Sequence, residues 1–316
     1  MSKLSSQNTL NSNLKNVTVI GSGDWGSAIA TLLKTNHHHV QIWSRQSDLS
    51  LTEMVAHSDA IISAVSIKGV RTIAEKLQQA KLQPHAILVS ATKGLEPNTR
   101  QTPSQIWRSL LPEYPLVVLS GPNLSKEIMA GKPAATVVAS VDDQAAQTIQ
   151  AIFASRNFRV YTNADPVGVE LGGTLKNVIA IAVGACDGLD LGANAKSALI
   201  TRSLIEIIRV GVYFGAQPET FWGLSGLGDL LATCNSNLSR NYQVGYAIAQ
   251  GMSLEEAISS VSGTAEGVNT ASVLMEISDR EKIYVPVSRY VYRLLKDEIN
   301  LPQAVEGLME RDLKQE

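Results

Sequence analysis

Short apolar runs alternate with amphipathic segments through the first half of the chain. The runs are rich in Val, Ile, Leu and Ala, which is typical of strands buried on both faces of a parallel sheet. They predict strands at 17–20, 40–43, 60–65, 86–90, 116–119, 136–139 and 158–161. Helical periodicity between them predicts helices at 27–33, after Ser50 and at 70–80. This alternation favours an α/β fold with a Rossmann-type, doubly wound sheet.

The second half carries helical periodicity and no convincing strand pattern. The predicted helices are 167–186, 195–214, 226–234, 240–250, 254–261, 265–281, 287–298 and 302–314. We therefore expect a loose tail at 1–15, a dinucleotide-binding domain at 16–164, and an all-helical substrate and catalytic domain at 165–316.

Composition narrows the class of protein. The 316 residues are 44% apolar, which supplies an ample core, and a net charge of −2 argues against a general nucleic-acid binder. Two cysteines, Cys186 and Cys234, are too few for a disulfide framework and fit a reducing cytoplasm. The Ser- and Asn-rich start resembles neither a signal peptide nor an anchor, and no uninterrupted apolar stretch looks long enough to span a bilayer.

A glycine-rich turn follows the first predicted strand directly. Gly21, Gly23 and Gly26 lie between that strand and the next helix. In dinucleotide-binding folds the first glycine allows the tight turn, the second admits the pyrophosphate, and the third lets helix and strand pack closely. The alternative is a glycine turn in another kind of α/β protein.

The end of the second strand bears on cofactor choice. An NAD-selective fold places a carboxylate there to hold the ribose 2′-hydroxyl, but this chain has Ser44 and Arg45. Arg45 is suited to a 2′-phosphate, so we expect NADPH to be preferred and NADH to be accepted. The alternative is an exposed arginine. The preceding run, His37-His38-His39, is interpreted as a surface turn and not as a metal site, because adjacent side chains point to opposite sides.

The helix predicted at 167–186 has one charge on its inner face. Positions 169, 172, 173, 176, 179, 180 and 183 share that face, and only Lys176 is charged there. Desolvation should lower the pKa of Lys176 toward a range useful for proton transfer. The alternatives are a lysine that snorkels to solvent or pairs structurally with a carboxylate.

Three further clusters carry candidate chemistry. Lys93 and the 121–125 loop follow the ends of predicted strands, where α/β proteins bind ligands, although Lys93 also fits a solvated loop. Asp229 begins a helix after a glycine-rich turn and can bind a hydroxyl or only cap the helix. The 239–241 sequence Ser-Arg-Asn suits a phosphate at a helix start, unless Ser239 only caps it.

Together these motifs resemble the bacterial NAD(P)-dependent glycerol-3-phosphate dehydrogenases. The resemblance runs from Val17 to about Arg311. It rests on the ordered motifs GSGDWG at 21–26, ATKGLE at 91–96, SGPN at 120–123, GGTLKN at 172–177, GLGDL at 226–230, SRN at 239–241 and EG at 266–267.

The resemblance implies reversible reduction of dihydroxyacetone phosphate to glycerol 3-phosphate for phospholipid synthesis, by a cytoplasmic homodimer. We expect no nucleic-acid partner, no metal and no stable insertion into a membrane. The resemblance also implies that Lys176 donates and accepts the proton. Implied substrate contacts are Lys93, Gly121, Asn123, Lys176, Asn177, Asp229, Ser239, Arg240 and Asn241. Implied cofactor contacts, with the loop glycines, are Gly21, Gly23, Asp24, Trp25, Gly26, Arg45, Lys93, Ser125, Arg240, Thr264 and Glu266.

The chain departs from the family pattern at a few places. The 46–58 segment is shorter than in familiar members, which leaves the strand count open. Ser66 replaces a usual proline, and Asn123 and Thr264 are variants at their positions.

Two other functions remain open at this point. One is a ketopantoate or β-hydroxyacid reductase, which also uses a helix lysine but needs no phosphate subsite at 239–241. The other is a non-catalytic nucleotide sensor, an alternative that assigns no function to Lys176, Lys93 and Asp229.

Overall fold

The first half of the chain forms one seven-stranded sheet. The computed structural model describes residues 14–310, and the strands in it are β1 Asn16–Ile20, β2 His39–Trp43, β3 Ala60–Ser63, β4 Ile87–Ser90, β5 Leu116–Ser120, β6 Ala134–Ala139 and β7 Phe158–Asn163. Their order is β2-β1-β3-β4-β5-β6-β7. Neighbours from β2 through β5 pair in parallel, and β6 pairs with β7 in parallel.

Apolar clusters cover both faces of this sheet. Alternate residues of one strand face opposite sides: in β3, Ile62 packs with one cluster and Ile61 with the other. The first cluster includes Ile29 and Ile149 from helices, and the second includes Val70. Helices on both faces confirm the doubly wound α/β fold.

Fourteen α-helices occur within residues 14–310. Those of the first half are α1 Asp24–Thr35, α2 Leu51–Val55, α3 Ile67–Gln78, α4 Pro103–Leu110, α5 Ser125–Met129 and α6 Asp143–Phe153. Those of the second half are α7 Pro166–Gly188, α8 Gly192–Tyr213, α9 Asp229–Cys234, α10 Arg240–Ala249, α11 Leu254–Ser260, α12 Glu266–Glu281, α13 Pro286–Leu295 and α14 Leu301–Met309.

All seven predicted strands are present, and the helical second half is confirmed. Capping boxes, in which a serine and a glutamate three residues later cap each other's backbone N–H groups, begin α2 at Ser50 and Glu53 and α11 at Ser253 and Glu256. The short 46–58 segment contains α2 and no strand, so the sheet keeps seven strands without it.

Several helix boundaries were wrong. The sequence did not predict α4, α5 or α6, and α3 begins at Ile67, three residues before the predicted start at 70. The predicted 226–234 helix begins with a wide π-helical turn at Leu224–Gly228, after a 3-10 turn at Pro218–Trp222. Helix α13 ends at Leu295, three residues before the predicted end at 298. The predicted end of the last helix, at 314, lies outside the described residues.

The chain divides into two compact units. Among the described residues, unit 1 comprises 14–92, 103–119 and 125–166, and unit 2 comprises 93–102, 120–124 and 167–310. The main division follows residue 166, whereas the sequence placed it after 164. The sequence did not anticipate that two segments of the first half, 93–102 and 120–124, group with the helical unit.

The predicted tail at 1–15 lies mostly outside the described residues. Where the structure begins, Lys15 is held, because its backbone N–H donates to Nδ1 of His38 at 3.3 Å. The same ring contacts the Ile152 carbonyl oxygen through Nε2, at 3.0 Å.

Helix α7 is the centre of unit 2. Every residue from 168 to 181 is buried, and Leu171, Leu175 and Ile179 belong to the principal apolar cluster of that unit. This helix is long and apolar enough to cross a membrane, contrary to the expectation from sequence, but 94% of its most apolar window is buried inside the protein. Its composition is therefore explained by its place in the core.

Candidate active site

Lys176 is buried in the core of unit 2. It lies on α7 and is 6% exposed. Its Nζ donates hydrogen bonds to Oδ1 of Asp229 and, at 2.5 Å, to Oγ1 of Thr233. Asp229 and Thr233 lie one turn apart on α9, so one helix face holds the ammonium from one side.

Asp229 is shared between two lysines. The carboxylate is 1% exposed, and its second oxygen, Oδ2, accepts a hydrogen bond from Nζ of Lys93 at 2.6 Å. The Lys93 side chain is 22% exposed, so this ammonium, unlike that of Lys176, still reaches solvent. Two ammonium groups around one carboxylate carry one net positive charge, which favours an anionic ligand.

The pKa of Lys176 is lowered from 10.5 to about 8. Burial is the main cause, because desolvation disfavours the charged amine. The carboxylate of Asp229 opposes this change, and the charge of Lys93 adds to it. An amine with a pKa near 8 can both give and take a proton near neutral pH.

Glycines on α7 allow the surrounding segments to approach closely. A β-carbon at Gly172 would lie 2.6 Å from the carbonyl oxygen of Ser225, and one at Gly173 would lie 2.2 Å from Oγ of Ser120. The wide turn before Asp229 and the end of β5 therefore both contact the turn of α7 that precedes Lys176.

The loop that carries Lys93 is fixed to unit 2 by polar contacts. Oγ1 of Thr174 on α7 accepts the N–H of Gly94 at 3.1 Å, and Nδ2 of Asn269 on α12 donates to the Leu95 carbonyl at 2.9 Å. Leu95 also packs into the apolar cluster around α7. Lys93, Lys176 and Asp229 are thus brought together within a single unit.

Two side chains of the Ser-Arg-Asn motif at the start of α10, those of Ser239 and Asn241, accept hydrogen bonds from backbone N–H groups. Oγ of Ser239 accepts the N–H of Tyr242 at 3.3 Å, so this hydroxyl caps α10. Oδ1 of Asn241 accepts the N–H of Gly267 at 2.9 Å, at the first turn of α12. This bond ties the starts of α10 and α12 together.

Arg240 lies beside the loop that leads into α12. Its Nη1 is 2.5 Å from the position of a β-carbon at Gly263, which has a positive φ of 91°. Thr264 and Glu266 follow this glycine, so the structure places three of the predicted cofactor contacts in one corner of unit 2. Within residues 14–310, no carboxylate forms an ion pair with Arg240.

Three other predicted substrate contacts also lie in unit 2. Gly121 is buried with a φ of 156°, and Asn123 follows in the same loop, its amide oxygen buried. Asn177 is 6% exposed, and its backbone carbonyl lies 2.5 Å from the position of a β-carbon at Gly267. The side of α7 next to Lys176 therefore contacts the start of α12.

The glycine loop of unit 1 has the geometry expected of a dinucleotide-binding turn. Gly21 has a φ of 116°, and a β-carbon there would lie 2.8 Å from the Ala64 carbonyl oxygen. One at Gly26 would lie 1.9 Å from the carbonyl oxygen of Gly21, whereas Gly23 has nothing within 4 Å. The backbone is thus tight at the first and third glycines and open at the second, where a pyrophosphate would approach.

The remaining predicted cofactor residues surround this loop or begin a helix. Asp24 is exposed in the first turn of α1, and Nε1 of Trp25 donates to the carbonyl of Ala91 at 3.1 Å. Arg45 is exposed just beyond Trp43, whose carbonyl accepts the N–H of Gly21 at 2.8 Å. Ser125, the first residue of α5, also belongs to unit 1.

Sequence reasoning missed Thr233 and did not assign a role to Thr174. The position of Thr233, four residues after Asp229 on a predicted helix, was a signal that the two side chains share a face. Thr174 had no such signal, since its partner Gly94 lies 80 positions away. Within residues 14–310, no group of three or more His, Cys, Asp or Glu side chains is placed to hold a metal ion.

Comparison with known proteins gives a family match over both halves. The model of the NAD-dependent glycerol-3-phosphate dehydrogenase N-terminus matches residues 16–52 and 46–146, and that of the C-terminus matches 165–306. The glycerol-3-phosphate dehydrogenase [NAD(P)+] of Synechocystis is 65% identical over 300 residues, which cover 95% of each chain. That of Acaryochloris marina is 58% identical and covers 95% of this chain and 97% of the relative.

A solved structure agrees with these matches. The crystal structure of glycerol-3-phosphate dehydrogenase from Coxiella burnetii superimposes with a TM-score of 0.90 at 31% identity. The match covers 95% of this chain and all of the other.

Proposed function

The chain belongs to the NAD-dependent glycerol-3-phosphate dehydrogenase family, and on that premise we propose that it reversibly reduces dihydroxyacetone phosphate to sn-glycerol 3-phosphate. The observation that carries the assignment to this site is the burial of Lys176 against a carboxylate shared with Lys93. A nicotinamide cofactor, when bound, supplies the hydride. The residues of this chain supply binding, charge and the proton.

Lys176 is the proposed acid and base. When the ketone carbon accepts a hydride, its oxygen becomes negative, and the ammonium of Lys176 stabilises that charge and donates a proton. In the reverse direction the neutral amine takes the proton from the alcohol. Because the pKa of Lys176 is about 8, both forms are available near neutral pH.

Asp229 holds this amine in place. Its Oδ1 accepts from Lys176 while its Oδ2 accepts from Lys93, so the carboxylate fixes both ammonium groups at once. We propose that Lys93, which is still partly exposed, contacts both the substrate and the cofactor, and that Gly121, Asn123 and Asn177 contact the substrate.

The substrate phosphate is assigned to the Ser239, Arg240 and Asn241 corner. The guanidinium of Arg240 has no carboxylate partner within residues 14–310, and Arg240 is the first residue of α10. A guanidinium fork and a helix N-terminus both favour a phosphate dianion. Binding energy from the phosphate would orient the carbonyl against Lys176.

The glycine loop fits a dinucleotide, because it is open only at Gly23. We propose that Gly21, Gly23, Asp24, Trp25 and Gly26 hold the cofactor phosphates, and that NADPH is preferred over NADH. The preference rests on Arg45, which follows β2 where an NAD-selective fold has a carboxylate. Further proposed cofactor contacts are Lys93, Ser125, Arg240, Thr264 and Glu266.

The cellular part of the proposal follows the family. We propose that the enzyme works in the cytoplasm as a homodimer, binds no nucleic acid, does not insert stably into a membrane, and supplies glycerol 3-phosphate for phospholipid synthesis.

The decisive experiment follows oxidation of NADPH and NADH by absorbance with dihydroxyacetone phosphate present. Turnover with the phosphorylated ketone, and little with dihydroxyacetone at equal concentration, is the expected result. Equal rates with and without the phosphate would contradict the phosphate site, and turnover of ketopantoate instead would favour the other reductase class. Cofactor binding without oxidation by any ketose phosphate would favour a nucleotide sensor.

Cofactor preference has its own test. Arg45→Ala should raise KM for NADPH at least tenfold and leave KM for NADH nearly unchanged, because one charge-assisted contact is worth about 1.5–3 kcal/mol. Lys68→Ala, which removes an exposed charge on α3, is the matched control. Equal effects on both cofactors would remove the basis for the NADPH preference.

A further inference from the structure

Thr174 lies directly behind the loop that carries Lys93. Its side chain is fully buried on α7, two residues before Lys176, and its Oγ1 accepts the backbone N–H of Gly94 at 3.1 Å. Gly94 has a φ of 128°, a conformation that L side chains rarely adopt. The loop therefore turns sharply at the residue that the hydroxyl holds.

The turn of α7 around Thr174 also leaves little room for Lys93 to move. A β-carbon at Gly173 would lie 3.2 Å from Cε of Lys93, so the lysine stem runs along the bare backbone of that glycine. From there Nζ reaches Oδ2 of Asp229 at 2.6 Å. The position of the Lys93 ammonium thus depends on the distance between its own backbone and α7.

We propose that Thr174 is a positioning residue that, through its hydrogen bond to Gly94, holds the Lys93 ammonium on Asp229 and thereby sets the protonation of Lys176. The proposal rests on the proposed function for its kinetic consequences. It concerns a residue that touches neither of the two amines.

Loss of the Thr174 hydrogen bond should change the pKa of Lys176 in one direction only. The groups that face the Lys176 amine are Asp229, Thr233 and Cys234 from α9 and Lys93 from its loop. Lys93 repels the protonated amine and takes one oxygen of the carboxylate. Without the Thr174 bond, Lys93 moves away, repulsion falls, and Asp229 serves Lys176 alone. Both changes raise the pKa of Lys176.

The test compares Thr174→Val with Thr174→Ser. Valine keeps the shape but removes the acceptor, whereas serine keeps the hydroxyl. In glycerol 3-phosphate oxidation, which needs the neutral amine, Thr174→Val should move the alkaline rise of kcat/KM to higher pH by at least half a pH unit. Thr174→Ser should keep the wild-type midpoint. Ser278→Ala, which removes a buried hydroxyl bonded within α12, is the matched control and should not move it.

A double variant identifies the route of the effect. In a Lys93→Gln background the charge is already gone, so adding Thr174→Val should produce no further change in the midpoint. A further shift in that background would overturn the proposal, and so would a wild-type midpoint in folded Thr174→Val. If Thr174→Val does not fold, Thr174→Cys, with a weakly accepting thiol, must show a shift in the same direction.

A titration of Lys176 in [15N]lysine-labelled protein, assigned by comparison with Lys176→Met, separates this proposal from the proposed function. The Nζ signal should titrate at higher pH in Thr174→Val whichever ketone is the substrate. If the wild type is inactive with dihydroxyacetone phosphate but Thr174→Val still shows this shift, the assigned reaction is refuted and the role of Thr174 is retained. If the wild type is active with dihydroxyacetone phosphate but Lys176 titrates at the same pH in Thr174→Val, the assigned reaction is retained and the role of Thr174 is refuted.

Discussion

Lys176→Met is expected to stabilise the protein while it lowers turnover by orders of magnitude. The pKa of Lys176 falls from 10.5 to about 8 in the folded protein, and this value already includes its favourable contact with Asp229. Each pKa unit corresponds to about 1.4 kcal/mol, so keeping the buried amine charged at neutral pH costs about 3 kcal/mol. Methionine has a similar length and no charge, and Asp229 keeps its partner Lys93. The free energy of unfolding should therefore rise by up to about 3 kcal/mol at pH 7.

The pH dependence of that difference tests the reasoning. Between pH 8 and 10.5 the unfolded chain still binds a proton at Lys176 and the folded protein does not, so the wild type gains stability as pH rises. The difference between Lys176→Met and the wild type should shrink through this window and vanish above it. Urea unfolding of the full chain at a series of pH values measures both curves. Lys68→Met, at an exposed site, controls for the loss of one charge.

The activity of the same variant gives the second half of the prediction. Turnover of dihydroxyacetone phosphate should fall by about 10²–10⁴-fold, the range associated with a general acid or base, while affinity for NADPH is retained. A variant that is less stable than the wild type at pH 7, or a stability difference that does not change with pH, would refute the account of burial. Near-normal turnover would rule out Lys176 as the proton donor.

Three further outcomes are expected. Ketone reduction needs the ammonium of Lys176, so kcat/KM for dihydroxyacetone phosphate should decline as pH rises through about 8, and a flat profile would contradict the lowered pKa. Gly173→Ala places a β-carbon 2.2 Å from Oγ of Ser120, so it should destabilise unit 2 by about 1–3 kcal/mol and reduce turnover. Urea unfolding and steady-state kinetics measure the two effects. Unchanged stability and turnover would show that the Ser120 side chain can move aside. Glu206 on α8 accepts the N–H of Ser288 at 3.1 Å, at the start of α13. Glu206→Ala should therefore lower the free energy of unfolding by about 1–3 kcal/mol without changing the pH profile of turnover. A variant as stable as the wild type would contradict the capping role of Glu206.

Local pattern predicted most of the architecture. Buried strands such as the Leu-Val-Val-Leu run at 116–119 are continuously apolar because both faces of a parallel sheet are buried, and that requirement is visible without any contact being known. The glycine spacing after β1 was equally legible, because the residues that form the turn are local, even though Gly21 packs against the distant Ala64. Helices α4 and α5 were missed because they have only eight and five residues. Helix α6 was missed although it has 11 residues and is capped by Asp142, a signal that the sequence does contain.

The sequence predicted the residues of the candidate site but not how they contact one another. Sequence singled out Lys176 as the lone charge on an apolar helix face, and the family motifs named Lys93 and Asp229. It could not say that the two lysines share one carboxylate. Those residues lie 53 and 136 positions from Asp229 along the chain, and no periodicity records contacts at such separations.

The sequence by itself thus determined the elements, their order and the chemistry that each segment offers, because these depend on neighbours within a few turns. Only the tertiary structure decided that the 93–102 segment joins the helical unit and that α9 supplies both partners of the Lys176 amine. The physical reason is that burial and charge coupling depend on which distant segments exclude water from the same point. The lowered pKa of Lys176 is a property of that enclosure and not of the helix that carries it.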